Sequence, residues 1–193
     1  MTTQAPRALR ADARRNHDQL LESAGALFAD RGIDVPLEEI AKHAGVGIGT
    51  LYRHFPTRDT LNEAVYRHEV ETLCDGVDKL IANHTADDAL AEWMAAFVTY
   101  VARKRGMAVA LKSALGADNE LFSSSRRRIV EALDKLLVNA IEARVIRDDV
   151  DTEDLLSAMS GICMASDTAG WSERTNRIVS LLIDGLRYRA PAR

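Results

Sequence analysis

The chain has 193 residues and a formal net charge of −4, from 25 lysines and arginines against 29 aspartates and glutamates. Hydrophobic residues make up 47% of it and aromatics only 5%, which favours packed helices over a β-sandwich and suits one large domain or two small ones. Two distant cysteines, Cys74 and Cys163, argue against a disulfide scaffold and a CxxC metal pair, and no apolar run is long enough to span a bilayer.

Residues 1–12 read as a flexible basic arm. Arg7 and Arg10, with Arg14 and Arg15 just beyond, are opposed only by Asp12. From Leu61 onward acids outnumber bases, so a basic arm precedes an acidic body, a distribution that fits local contact with DNA. The arm has no apolar stretch of the kind a secretory signal needs, and a reduced, cytoplasmic setting is expected.

A first helix is predicted over 13–31, where Leu20, Ala24, Leu27 and Phe28 form an apolar stripe and Gly32 stands ready as a C-cap. A second, short helix over 36–43 begins at Pro36, carries Glu38 and Glu39 in its first turn, and turns Leu37, Ile40, Ala41 and Ala44 inward. A third follows over 47–54. Thr57 is placed to cap a fourth, whose period (Leu61, Val65, His68, Leu73, Val77, Leu80, Ile81) lasts about seven turns and reads as a strut. After a polar break at 83–88, a fifth helix over 89–105 aligns Trp93, Phe97, Tyr100 and Val101. Gly106 separates a sixth over 107–115. The seventh (120–145) carries Ile129, Leu133, Leu136, Leu137, Ala140 and Ile141. The eighth spans 152–166, a loop holds Gly170 and Trp171, and the ninth spans 174–189.

Prolines occur only at Pro6, Pro36, Pro56 and Pro191, so none interrupts a helix between 56 and 191. Strand alternation and internal repeats are absent. The fold class is therefore all-α, with about nine helices: a three-helix head over 13–56, and a larger helical body over 57–193 reached through a long helix.

The stretch "AGVGIGTLYRHF" (44–55) admits two chemistries. A phosphate-cradling loop would need a preceding strand, or Gly-Lys-Ser/Thr; here an amphipathic helix precedes and Thr50 follows Gly49. A helix-turn-helix needs a small residue at the helix crossing, which Ala41 supplies, and a residue tolerant of positive φ at the corner, which Gly45 supplies. Val46, Leu51, Ile40 and Phe55 then close a small core. Gly47, Ile48, Thr50, Tyr52, Arg53 and His54 are left outside, offering donors for phosphates and base edges and, at Gly47 and Gly49, backbone that can come close to a groove. Catalytic and metal patterns fail. "HEVET" at His68 has Thr72 where a zinc helix needs its second histidine, the other histidines show no ligand spacing, and no serine or cysteine sits in a nucleophile motif. No cofactor is called for.

The segment "LLESAGALFADRGIDVPLEEIAKHAGVGIGTLYRHFPTRDTLNEAV" resembles the TetR/AcrR family of bacterial transcriptional regulators over roughly 14–65, at Ala24, Phe28, Gly32, Ile40, Ala41, Gly45, Val46, Thr50, Leu51, Tyr52, Phe55 and Leu61. The resemblance implies DNA contact from Ile48, Gly49, Thr50, Tyr52 and Arg53, phosphate contact from Tyr52, His54 and Arg58, and approach to DNA at Pro36 and Glu38. Arg14 is a further candidate from the basic segment. Two positions depart from the pattern: Ile48 is apolar where a polar base reader is common and suits a thymine methyl, and Glu38 repels phosphate.

One such head offers too little surface for strong specific binding, so a homodimer on a near-palindromic, double-stranded operator is expected. Candidate interface residues are Leu155, Met159, Ile162 and Cys163 in the eighth helix, with Gly161 beside them, and Ile178, Leu182 and Gly185 in the ninth. The resemblance also implies a small-molecule effector pocket in the body, for which Trp93, Phe97, Tyr100, Met107, Leu111, Phe122 and Met164 are the candidates; one arginine of Arg126-Arg127-Arg128 could meet an anionic effector. The implied function is a repressor released from its operator by ligand, acting at the bacterial nucleoid. The alternatives are an effector-independent DNA-binding protein, an activator working through a protein partner, and an enzyme built on the body.

Overall fold

The computed structural model describes residues 5–116, 118–164 and 171–188, with side chains for 11–104, 107–116, 118–164 and 173–188. Nine helices and no strand occur among them: α1 (Ala5–Arg31), α2 (Leu37–His43), α3 (Ile48–His54), α4 (Arg58–Cys74), α5 (Val77–Asn83), α6 (Ala86–Leu115), α7 (Glu120–Glu142), α8 (Thr152–Met164) and α9 (Trp171–Arg187). None is long and apolar enough to cross a membrane. The chain divides into two compact units, Met1–Glu69 with Arg103–Ala117, and Val70–Ala102 with Asp118–Arg193.

The first unit is the head. Leu20, Ala24 and Phe28 of α1, Ile40 of α2, Leu51 of α3, Phe55, and Leu61 and Val65 of α4 are all buried and form its core. Gly32, at φ +81°, ends α1 as the sequence suggests, its N–H donating to the Phe28 carbonyl at 3.0 Å. Thr57 caps α4 reciprocally with Thr60: the Thr60 N–H donates to Thr57 Oγ1 at 3.2 Å and the Thr57 N–H to Thr60 Oγ1 at 3.1 Å. The same unit takes in the last part of α6, where Met107 and Leu111 are buried. Arg103 donates to the buried Glu69 of α4 at 3.2 Å, and that carboxylate lies where a side chain on Gly25 of α1 would be: a Cβ there would come within 2.6 Å of Glu69 Oε1.

The second unit packs α7 against α5 and α8, and α8 against α9. Its core holds Trp93, Phe97, Leu133, Leu136, Leu155, Met159 and Cys163. Asn119 caps α7, its side chain accepting from the Leu121 N–H at 2.9 Å.

Several helix limits differ from expectation. α1 begins at Ala5 rather than at 13, because Pro6 falls in the first turn, where its missing N–H is harmless, so the basic segment is helical from residue 5. Residues 1–4 of the arm, Ser166 at the expected end of the eighth helix, Gly170 in the loop before the ninth, and Arg189 at its end lie outside the described residues. The long strut is two helices, since the tandem of Asp75 and Gly76, both poor helix formers, ends α4. Conversely, Gly106 sits inside a single 30-residue α6. Trp171 opens α9 instead of lying in a loop.

Candidate nucleic-acid interface

The corner between α2 and α3 is built as a Schellman turn. Gly45, at φ +70°, donates to the Lys42 carbonyl at 3.1 Å, and Val46 donates to the Ala41 carbonyl at 2.9 Å. Only a residue without a Cβ holds that φ at no cost. Gly47 then opens α3 from an extended conformation, its carbonyl accepting from Thr50 at 2.8 Å and Leu51 at 3.3 Å. α3 ends at His54, and its C-cap Phe55 leaves the helical region, which the residue before Pro56 avoids.

Within α3 only Leu51 is buried. Gly49, Tyr52 and Arg53 are exposed, Tyr52 by 46%, and Ile48, Thr50 and His54 are half-buried. Gly47, Pro36 and Arg14 are exposed as well. A Cβ placed on Gly47 or Gly49 meets no atom within 4 Å, so the chain's own packing demands neither glycine. What they leave is bare backbone on the outer surface.

The cations on this face are held in defined places. Arg53 folds along its own helix, Nε donating to the Gly49 carbonyl at 3.1 Å and Nη2 reaching Thr50 Oγ1 at 3.5 Å. Arg58, half-buried, donates from Nη1 to the Ile33 carbonyl at 2.8 Å, which ties the start of α4 to the loop after α1. His54 lies in a cluster of rings, 5.6 Å from His17 of α1 and 6.1 Å from Phe55 between centroids. Burial first, then the neighbouring His17 and Arg53, hold its imidazole below the usual histidine range, towards the neutral form. Glu38 is exposed, while Glu39 pairs with Arg31, whose hydrogen bond holds that carboxyl below the ordinary range. The acid at the start of α2 is thus partly compensated inside the chain. His17 escapes a search for ligand spacing, yet its offsets of three and seven from Leu20 and Ala24 put it on the buried face of α1.

The candidate effector residues are divided between the two units. Trp93, Phe97 and Tyr100 form a buried run in the body, with Trp93 and Phe97 stacked at 5.7 Å and Phe97 and Tyr100 at 5.9 Å, and the Trp93 indole N–H donates to the Leu73 carbonyl at 2.9 Å. Met107 and Leu111 pack in the head unit, Phe122 is half-buried, and Met164 is 81% exposed at the end of α8, next to residues outside the described ones. An open cleft of about 380 Å³ lies elsewhere in the body, lined by Cys74, Asp75, Asp78, Arg128, Glu131 and Lys135 among others. The sequence gives no sign of it because its residues come from three separate helical stretches with no common motif. The arginine run is also spoken for: Arg126 pairs with Glu153, Arg127 with Glu131 and Arg128 with Asp75.

The candidate interface residues divide between two faces. Leu155, Met159 and Cys163 are buried against the chain's own body, which corrects their assignment to a surface between subunits; Ile162 is half-buried. They pack inward because α8 lies between α7 and α9. On α9, Ile178 and Gly185 are exposed and Leu182 is half-buried, while Leu181 is 69% exposed. No group of three or more His, Cys, Asp or Glu side chains suited to a metal occurs among the described residues.

Against known proteins, residues 20–65 match the family model "Bacterial regulatory proteins, tetR family", and residues 85–188, more than half of the chain, match "Transcriptional regulator SbtR-like, C-terminal domain". The crystal structure of a TetR transcriptional regulator from Streptomyces coelicolor is similar at 40% identity and a TM-score of 0.83, over 90% of this chain and 99% of that one. A TetR transcription regulatory protein from Mycobacterium vanbaalenii is similar at 34% identity and a TM-score of 0.74, over 93% and 99%. An HTH-type transcriptional regulator of Staphylococcus aureus is 36% identical over 64 residues, 33% of this chain and only 35% of the curated relative.

Proposed function

The chain belongs to the TetR family of transcriptional regulators and is DNA-binding, and from that premise we propose that it is a ligand-responsive repressor working as a homodimer. One observation carries the DNA-reading part: α3 buries Leu51 alone and turns bare glycine backbone, Tyr52 and Arg53 outward. Ile48, Thr50 and Arg53 read base edges, while Tyr52, His54, Pro36 and Arg14 approach the backbone. Arg58 joins them only by exchanging its bond to the Ile33 carbonyl for a phosphate.

The partner surface we assign to α9 runs through Ile178, Leu181, Leu182 and Gly185, an apolar strip presented outward. Two copies joined there would place two α3 helices on a near-palindromic duplex. The effector acts on the Trp93–Phe97–Tyr100 run, the main aromatic grouping of the body, and releases the DNA through its difference in affinity between the two states. The complete burial of that run also favours the second reading, an effector-independent regulator.

Selection from random-sequence duplexes tests the proposal. The purified chain enriches a near-palindrome with half-sites about one helical turn apart. Arg53→Ala weakens binding to that duplex roughly tenfold, as expected for loss of a base-reading arginine, with its melting temperature unchanged. Failure to enrich any sequence, or an Arg53→Ala variant that binds as wild type, refutes it.

A further inference from the structure

The three rings at the end of α3 come from two helices and the loop beyond. His17 of α1 lies 5.6 Å from His54 with planes at 68°, an edge-on contact, and 5.2 Å from Phe55 at 36°. Phe55 is fixed in the core. His17 is therefore the side chain of α1 that sets the plane and reach of His54, whose outer edge remains half-open to solvent.

The charges around His54 are lopsided. From α1 it faces His17, whose Nδ1 is 3.2 Å from Asp18 Oδ1, so the nearby carboxylate is engaged by His17 itself. From α3 it faces Arg53. α2, which packs on both helices, carries Lys42 and His43 in its last turn, both exposed. Among the described residues, His54 therefore has cations and a ring beside it and no anion paired with it. A DNA phosphate arriving at its open edge supplies the missing anion.

We propose that His17 is a positioning residue for His54, and that through this ring pair DNA binding takes up a proton, so that affinity falls as the medium turns alkaline. The inference rests on the DNA-contact reading of His54 given above. The sign follows from linkage. In the free head, burial, His17 and Arg53 hold the His54 imidazole neutral. Beside a phosphate the protonated form is favoured, so its pKa in the complex is higher than in the free protein. The added affinity is fully present below the free pKa and is lost as pH rises through the bound pKa. Each unit of difference between the two is worth about tenfold in affinity.

The test measures the dissociation constant of the duplex selected by the wild-type protein, at fixed ionic strength, from about pH 5.5 to about pH 8.5, the range in which histidines titrate. Wild type weakens about three- to tenfold across this range. His54→Gln is flat to within about twofold, since its side chain carries no proton to exchange. His17→Phe keeps a ring and removes the ionisable nitrogens: it binds within about twofold of wild type at the acid end, and the midpoint of its profile moves to higher pH. His17→Ala, lacking the ring, binds more weakly at every pH. A merely structural role for His17 would leave the midpoint where it was. Parallel profiles for wild type and His54→Gln, or an unmoved midpoint in His17→Phe, overturn the proposal. If the wild type binds no selected duplex, it is the DNA reading that fails. The ring pair is then judged by imidazole proton NMR of the free protein, where the His54 resonance titrates at higher pH in His17→Phe, and an unchanged titration overturns it.

Discussion

Replacing Gly49 by alanine should strengthen the fold and weaken the function. Gly49 lies in the first turn of α3, is exposed, and would present its new Cβ to open space, with no atom of the chain within 4 Å. Alanine relieves the backbone entropy that glycine costs in a helix, a gain of about 0.5–1 kcal/mol. For a chain of this size that raises the melting temperature by about 1–4 °C. In the DNA-reading proposal the same methyl group stands on the face α3 would offer to a groove and keeps the backbone from approaching it. Holding the helix off the duplex in this way lowers affinity by about tenfold, or roughly 1.4 kcal/mol. Thermal unfolding followed by circular dichroism gives the first number, and fluorescence anisotropy with the selected duplex gives the second. A melting temperature that falls would mean that α3 needs the glycine for its own conformation. A rise with unchanged affinity would mean that position 49 does not meet DNA. Either result refutes the idea that the glycine is kept for an external partner.

Other perturbations separate structural from binding roles. Arg58→Ala removes the bond to the Ile33 carbonyl and should cost about 1–2 kcal/mol, the lower part of the range for a charged donor because the side chain keeps some of its water, read as a lower melting temperature. An unchanged melting temperature would leave Arg58 with no part in holding the head. Leu181→Asp, at a 69% exposed site, should change monomer stability by less than about 0.5 kcal/mol yet give monomers in sedimentation velocity at micromolar concentration; a persisting dimer moves the interface off α9. Met159→Ala should instead cost about 2–5 kcal/mol by opening a cavity in the body, visible as a lower denaturation midpoint. Burial pushes the Cys74 thiol up to about 11, so its alkylation by iodoacetamide should follow a midpoint well above the roughly 8.5 of a free cysteine. Rapid labelling at neutral pH would contradict that burial.

The head was legible in the sequence because its local signals agree with one another. Pro36 at the start of a helix, Gly45 at a corner and Thr57 as a cap each specify a backbone state, and the structure adopts all three. Helix limits in the body were less legible, and two glycines show why. Gly76 follows Asp75, and two weak helix formers in succession end α4. Gly106 sits between Arg105 and Met107, both strong helix formers, and the burial of Met107 and Leu111 outweighs a penalty of about 1 kcal/mol, so α6 runs through. A glycine alone decides neither case; its neighbours and what they bury do.

The same limit governs the candidate sites. An apolar stripe states that a helix face is covered, and says nothing of what covers it. On α8 the stripe of Leu155, Met159 and Cys163 is covered by the chain itself. On α9 two apolar faces coexist: Val179, Ile183 and Leu186 turn inward, while Ile178 and Leu181 remain outside. Spacing could not separate these, because all of them keep a helical period; only packing assigns one face to the core and leaves the other exposed. The α3 surface escapes this ambiguity. Its exposed residues are Gly49, Tyr52 and Arg53, of which the glycine and the tyrosine are poor choices for a seven-residue helix on stability grounds. Where a sequence departs from what its own fold would favour, and the structure shows no internal use for the departure, the departure supports the proposed DNA contact. Gly47, Gly49 and Tyr52 meet that condition. Trp93 and Phe97 do not meet it, since the core already uses them, so their effector role rests on a ligand-binding measurement and not on this criterion.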